Sequence, residues 1–147
     1  MSSDLKQRII GRVQSDVAAV ETALRDNLGA HLPIVSDVAG HILFSGGKRL
    51  RPLLMVLSAR LCGYAGGREI FFSTVFEYLH TATLLHDDLV DGASLRRGRT
   101  AAHTLYGNET AVLVGDFLLA RSLTIAAETG MTDVIKVIAG ITENMSQ

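Results

Sequence analysis

One segment near the middle of the chain limits the possible folds more than any other. From about Glu69 to Asp91, apolar residues recur at helical spacing and leave almost no polar face. A helix of this length is roughly 33 Å long, which is enough to cross a small domain. Because a helix that is apolar on most sides must be buried, we expect the remaining segments to pack around it.

The other apolar residues follow the same helical spacing, and no stretch alternates as a β-strand does. The sequence contains neither a sustained heptad pattern nor an internal repeat. Its 147 residues suit one domain with a substantial core. We therefore predict a single all-α domain over residues 1–147, with its other helices over residues 5–28, 33–43, 52–61, 110–127 and 132–141.

The charge and hydropathy patterns argue against nucleic acid and membranes as partners. The net charge is −1, so no strongly basic surface is expected to attract nucleic acid or anionic lipid. We expect no membrane span, because no run of about 18 apolar residues is free of charge. The longest apolar run, Ala111–Ala120, contains Asp116, which we expect to be a buried structural carboxylate.

Cysteine usage points to a reducing compartment. The single cysteine, Cys62, excludes an internal disulfide and suits the cytoplasm. Because it follows a run of apolar residues, we expect a buried and inert thiol. The N-terminus shows no signal-peptide pattern, which fits the same expectation.

Two features of composition suggest that the helices need a further layer. Apolar residues make up 48% of the chain, and it has only 2 prolines. No helix-stop signal follows the last periodic segment near Ile141. We expect exposed apolar faces that a second copy, a partner chain or a C-terminal half would cover.

Three aspartates close the central helix. Asp87 and Asp91 are four residues apart and share a helix face, and Asp88 lies about 100° round from Asp87. Like charges at this spacing repel, so a cation has to offset them. Magnesium ions commonly take one or two carboxylates together with substrate phosphates. The pattern therefore predicts a metal–diphosphate site.

A basic loop precedes the helix over residues 52–61. Gly46 and Gly47 let the backbone approach a ligand, and three cations follow within four residues, ending at Arg51. Cations at a helix N-terminus oppose the helix dipole unless an anion binds there. The loop is therefore either a phosphate-binding segment or a solvated basic turn.

Two more features lie close in sequence to the aspartates. Arg96, Arg97 and Arg99 follow the central helix, and they can neutralise the aspartates or hold phosphate oxygens with their guanidinium forks. His80 stands seven residues before Asp87, two turns back on the same side. It is either a core histidine or a substrate contact.

These motifs together resemble those of the trans-prenyltransferases, the isoprenyl diphosphate synthases. The resemblance rests on Gly46–Pro52, Asp87–Asp91 and Arg96–Gly98, in that order, and it extends from about Ile34 to the C-terminus. The details are most similar to the long-chain, octaprenyl-type members. The resemblance implies an isoprenoid-synthase-type helical bundle around a cavity, usually a homodimer. It also implies condensation of isopentenyl diphosphate with an allylic diphosphate.

The resemblance also implies roles for individual residues. Asp87, Asp88 and Asp91 would bind Mg²⁺ ions that bridge to the allylic diphosphate, and Arg96 would clamp that diphosphate. The residues that would hold isopentenyl diphosphate are Lys48, Arg51, His80 and Arg97. Small residues at Ala82 and Thr83, where shorter-chain members carry bulky aromatics, imply an open tunnel and a long product.

The chain departs from the family in one respect. Members are typically about twice as long, and their second aspartate-rich motif, which holds a further Mg²⁺, has no counterpart among these 147 residues. We expect the N-terminal half of the fold, as a fragment or as a natural short form. The chain is then part of a synthase, or a non-catalytic diphosphate-binding or regulatory subunit that pairs with a complete synthase. The third hypothesis is that the chain is an apolar helical module that binds another protein.

Overall fold

The computed structural model describes residues 3–28 and 32–145, and within them it confirms the all-α prediction. Seven helices and one small hairpin follow each other along this part of the chain. The elements are α1 (Ser3–Leu28), α2 (Pro33–Leu43), α3 (Leu50–Leu61), α4 (Glu69–Val90), β1 (Leu95–Arg96), β2 (Arg99–Thr100), α5 (Ala102–Tyr106), α6 (Asn108–Ala127) and α7 (Thr132–Met145).

Helix α4 is the centre of the molecule, as its apolar pattern predicts. It packs most extensively against α6 and also against α3 and α1. Val75, Tyr78 and Leu85 are buried, and burying a side chain such as Leu85 contributes about 1.5–3 kcal/mol. The Tyr78 hydroxyl donates to the Leu24 carbonyl at 2.8 Å, and burial raises the pKa of Tyr78. This bond ties α1 to the middle of α4.

Helix α6 approaches α4 closely near the aspartates. A side chain at Gly115 would collide with the His86 ring, so glycine is what permits this approach. The Nε2 atom of His86 lies 3.3 Å from the Val112 carbonyl oxygen and 3.5 Å from an Asp116 carboxylate oxygen. The prediction that Asp116 is buried is wrong, since its side chain is 61% exposed at the outer edge of this contact.

Helix α6 is also the one helix in the described part of the chain that is long and apolar enough to cross a membrane. This is weak evidence for a span, because the core helix of a globular domain passes the same test. Buried residues of α6, such as Val114 and Leu118, belong to the same core as those of α4. Asp116 interrupts its outer side.

Helix α3 contributes little to the core. Pro52 and Val56 are its buried residues, whereas several of its leucines remain exposed. Cys62 caps the C-terminus of α3, at the start of the turn that leads to α4. This residue is exposed there, so the prediction of a buried thiol is wrong. The exposed leucines of α3 form one stripe, here called the α3 leucine stripe: Leu50, Leu54, Leu57 and Leu61.

Candidate functional site

The three aspartates at the end of α4 lie in different environments. Asp88 is buried, whereas Asp87 and Asp91 are exposed. In the described part of the chain, the side chains of Asp87 and Asp91 have no hydrogen-bond or ion-pair partner. Carboxylates at a helix C-terminus face the negative end of the helix dipole. The exposed pair is therefore a place where a cation is strongly favoured.

Asp88 forms a two-pronged ion pair with Arg96. The Arg96 Nε atom lies 2.6 Å and 2.7 Å from the two Asp88 carboxylate oxygens, and Nη2 lies 2.5 Å from one of them. The Asp88 side chain is 3% exposed and that of Arg96 is 28% exposed. The hydrogen bond that Arg96 donates to Asp88 raises the pKa of Arg96. Both Asp88 oxygens are thus engaged by the guanidinium, and the prediction that Asp88 also binds a metal stays a prediction.

A short hairpin carries Arg96 to this position. Its strands are two residues long, and Leu95 pairs with Thr100 while Arg96 pairs with Arg99. Positive φ angles at Arg97 and Gly98, 50° and 77°, allow the tight turn between them. The sequence shows no strand pattern here, because two-residue strands are too short to show alternation. The glycine after Arg97 is the one local signal for the turn.

The structure brings all five predicted substrate-binding residues together. They line one cavity of about 370 Å³ between the basic loop, the α4 face and the hairpin. The Arg97 guanidinium donates to the Gly46 carbonyl at 3.0 Å and so joins the hairpin to the loop. The five residues are Lys48, Arg51, His80, Arg96 and Arg97.

His80 reports the electrostatic character of this cavity. Its pKa is lowered to about 4, first by burial and then by the positive charges of Arg51, Arg97 and Arg96. The negative charge of Asp87 opposes this shift. The imidazole is therefore neutral at pH 7, and the positive charges around it give the cavity a potential that favours anions.

The donor set fits a magnesium ion that is shared with a substrate. Within the described ranges, no group of three His, Cys, Asp or Glu side chains is placed to hold a metal by itself. Asp87 and Asp91, however, offer two exposed carboxylates on one helix face beside the cationic cavity. Mg²⁺ usually keeps several waters and binds through one or two carboxylates plus substrate phosphates. The residues present fit that arrangement.

Sequence reasoning missed two residues that shape the cavity wall. Arg49 and Glu77 both line the cavity, although both are buried. Arg49 was counted only as one cation of the basic loop. Glu77 could have been found from the sequence, because an acidic residue in the middle of an apolar helix predicts a buried partner of opposite charge. That partner is Arg49.

Comparison with known proteins decides the family. The sequence profile of the family described as Polyprenyl synthetase matches residues 32–147. The chain belongs to this family. An octaprenyl diphosphate synthase from Escherichia coli is 38% identical over 124 residues, which is 84% of this chain and 38% of that protein. The corresponding enzyme from Haemophilus influenzae is 35% identical over 147 residues, 100% of this chain and 44% of that protein.

Solved structures of polyprenyl synthases confirm the bundle. A polyprenyl synthase from Caulobacter crescentus, complexed with calcium and isoprenyl diphosphate, has a TM-score of 0.85 and 39% identity, covering 93% of this chain and 42% of that chain. A decaprenyl diphosphate synthase from Rhodobacter capsulatus has a TM-score of 0.85 and 40% identity, with the same coverage. The chain thus has the N-terminal part of the isoprenoid-synthase fold. It spans about two fifths of the length of the curated relatives it matches.

Proposed function

We propose that this chain forms part of a Mg²⁺-dependent polyprenyl diphosphate synthase, which condenses isopentenyl diphosphate with an allylic diphosphate. The observation that carries the proposal is the cavity in which His80 meets four cations besides the buried Arg49, next to the aspartate-rich end of α4. Two diphosphate groups need this density of positive charge. Membership in the polyprenyl synthetase family supports the same substrate class.

On the allylic side, the aspartates and Arg96 act together. Asp87 and Asp91 would hold Mg²⁺, which when bound neutralises the charge that develops on a leaving diphosphate. Arg96 would donate to the allylic diphosphate, and Asp88 would orient its guanidinium through the bidentate pair. In this arrangement the two exposed aspartates bind the metal, and the buried Asp88 orients Arg96.

On the isopentenyl side, the basic loop and the hairpin form the cradle. Lys48, Arg51 and Arg97 would hold the diphosphate of isopentenyl diphosphate, and neutral His80 would donate one hydrogen bond. Leu84 and other apolar residues of the wall exclude water from the carbocation that the allylic partner becomes. The alkene of isopentenyl diphosphate would attack this carbocation and form the new carbon–carbon bond. Loss of a proton to the departed diphosphate would then form the double bond of the product, so no protein nucleophile is needed.

The prediction of a long product rests on two small residues of α4. Ala82 is buried in the core cluster, whereas Thr83 is half-buried and donates to the His80 carbonyl at 2.8 Å. We propose that these two small residues leave room for a long prenyl chain.

A partner is part of the proposal. The α3 leucine stripe is exposed, and a second copy or another chain would cover faces of this kind. One relative, 38% identical over 127 residues, is named heptaprenyl diphosphate synthase component 2, from Geobacillus stearothermophilus. The alternative is a non-catalytic diphosphate-binding or regulatory subunit that pairs with a complete synthase. A cytoplasmic location stays a prediction.

Turnover separates these functions. The chain is incubated with Mg²⁺, labelled isopentenyl diphosphate and an allylic primer, alone and with a complete family synthase, and the products are sized. A long-chain product made by the chain alone supports the synthase. Product only in the mixture, above what the synthase makes itself, supports the subunit. Asp87→Ala should abolish either effect, whereas Asp37→Ala, an exposed aspartate on α2, should not.

A further inference from the structure

Arg49 differs from the cations beside it. Lys48 and Arg51 are exposed, whereas the Arg49 side chain is 5% exposed in the same loop. Its φ angle is 49°, in the left-handed region that residues other than glycine seldom adopt. A non-glycine residue keeps such a conformation when its surroundings hold it there.

The Arg49 guanidinium joins three helices beneath the loop. Its Nε atom lies 2.5 Å from a Glu21 carboxylate oxygen on α1, and Nη1 lies 3.5 Å from a Glu77 oxygen on α4. Its Nη2 atom donates to the Leu43 carbonyl at the end of α2, at 2.6 Å. All three nitrogens therefore have partners, and two of these partners are anionic. The charge of Arg49 is therefore already balanced by two carboxylates, unlike the charges of Lys48 and Arg51 among the described residues.

We propose that Arg49 is a positioning residue for the diphosphate site. Its buried ion pairs hold the loop over residues 46–51 in one conformation, so that Lys48 and Arg51 both line the cavity. The loop contains two glycines and would otherwise be flexible. The identity of the ligand rests on the proposed function, whereas the anchoring of the loop does not.

Arg25 provides a matched control. It also pairs with Glu21, at 3.9 Å, and its guanidinium lies 3.9 Å from the centre of the Phe44 ring, which Arg49 approaches to 6.0 Å. The Arg25 side chain is 61% exposed and lies outside the loop. Replacing Arg25 therefore removes an arginine from the same neighbourhood without releasing the loop.

The test measures binding of inorganic diphosphate, with Mg²⁺, by titration calorimetry. Arg49→Gly accepts the left-handed backbone but has no anchor, so we expect its Kd to rise about tenfold or more. Arg25→Gln should bind within about twofold of the unchanged chain. Arg49→Lys keeps the charge but cannot reach all three partners, and it should fall between the two. It also provides the test if Arg49→Gly does not fold.

A second readout excludes a purely structural role and does not need a ligand. Backbone ¹⁵N relaxation of Gly46 and Gly47 should show a mobile loop in the Arg49 variants, while Val75 in the core stays rigid. A rigid loop or diphosphate binding within twofold in a folded Arg49→Gly variant would overturn the inference. If the unchanged chain binds no diphosphate, the proposed function fails, and the relaxation data still decide whether Arg49 anchors the loop.

Discussion

The basic loop and the hairpin both position cations that line the cavity, but they are held in place by different contacts. Each carries an arginine paired with carboxylates beside cations that line the cavity, and each has a non-glycine residue with positive φ. In the loop, buried Arg49 has two acidic partners and a carbonyl. In the hairpin, Arg96 is partly exposed, lines the cavity and has Asp88 as its one ion-pair partner in the described part of the chain. The first arrangement anchors a segment, and the second holds a side chain that can still reach a ligand.

The sharpest test of this contrast is the pair of neighbouring aspartates. Asp88→Ala leaves Arg96 without its partner at a partly buried position, so we expect the free energy of unfolding to fall by about 3 kcal/mol in urea titrations. Asp87→Ala removes an exposed charge that other carboxylates repel, and it should change stability by about 0.5 kcal/mol or less. Equal losses in the two variants would contradict the division of roles.

Redundancy in the loop predicts a smaller effect at Glu77. In Glu77→Gln, Arg49 keeps Glu21 and the Leu43 carbonyl, so the free energy of unfolding should fall by about 1 kcal/mol. Asp88→Asn, the matched change in the hairpin, should cost more because Arg96 keeps no other ion pair there. The order of the two urea midpoints checks this, and the reverse order would show that the loop depends on a single contact.

Replacing Arg97 should weaken diphosphate binding with little change in the free energy of unfolding. Glycine suits its φ of 50°, so Arg97→Gly should change the free energy of unfolding by about 0.5 kcal/mol or less. It removes one cavity cation, and binding of inorganic diphosphate should weaken about fivefold. Arg99→Ala, in the same hairpin but outside the 370 Å³ cavity, is the control and should bind normally. Equal weakening in both variants would indicate a general effect of charge.

His80 should make the stability of the chain depend on pH. Because its pKa in the folded chain is lowered to about 4, the unfolded chain binds a proton more readily between that value and the ordinary pKa of about 6.5. Stability should therefore fall as the pH falls from about 6.5 to 4. His80→Gln should make the pH profile of the urea midpoint flatter over this range. An unchanged slope would mean that His80 does not titrate this way.

The helical fold, the central helix and most residues of the candidate site could be predicted from the sequence. The apolar pattern placed the central helix over residues 69–91, and α4 covers Glu69–Val90. Local motifs also selected five of the six basic and histidine residues that line the cavity, with Arg49 as the exception. Helical periodicity and the chemistry of charged side chains are local properties, so a single sequence is enough to read them.

What sequence reasoning could not predict depends on contacts between distant segments. The inward turn of Arg49 follows from carboxylates 28 residues away on each side, and no local signal distinguishes it from Lys48. The exposure of Cys62 and Asp116 depends on which side of α3 and α6 the neighbouring helices cover.

The central claim is that the cavity beside Asp87 and Asp91 binds a diphosphate together with Mg²⁺. Titration calorimetry of the 147-residue chain with inorganic diphosphate, with and without Mg²⁺, tests it most directly. We predict saturable binding that is tighter with Mg²⁺ and that loses its Mg²⁺ dependence in Asp87→Ala. The absence of binding under both conditions, from protein with native circular dichroism, would contradict the claim.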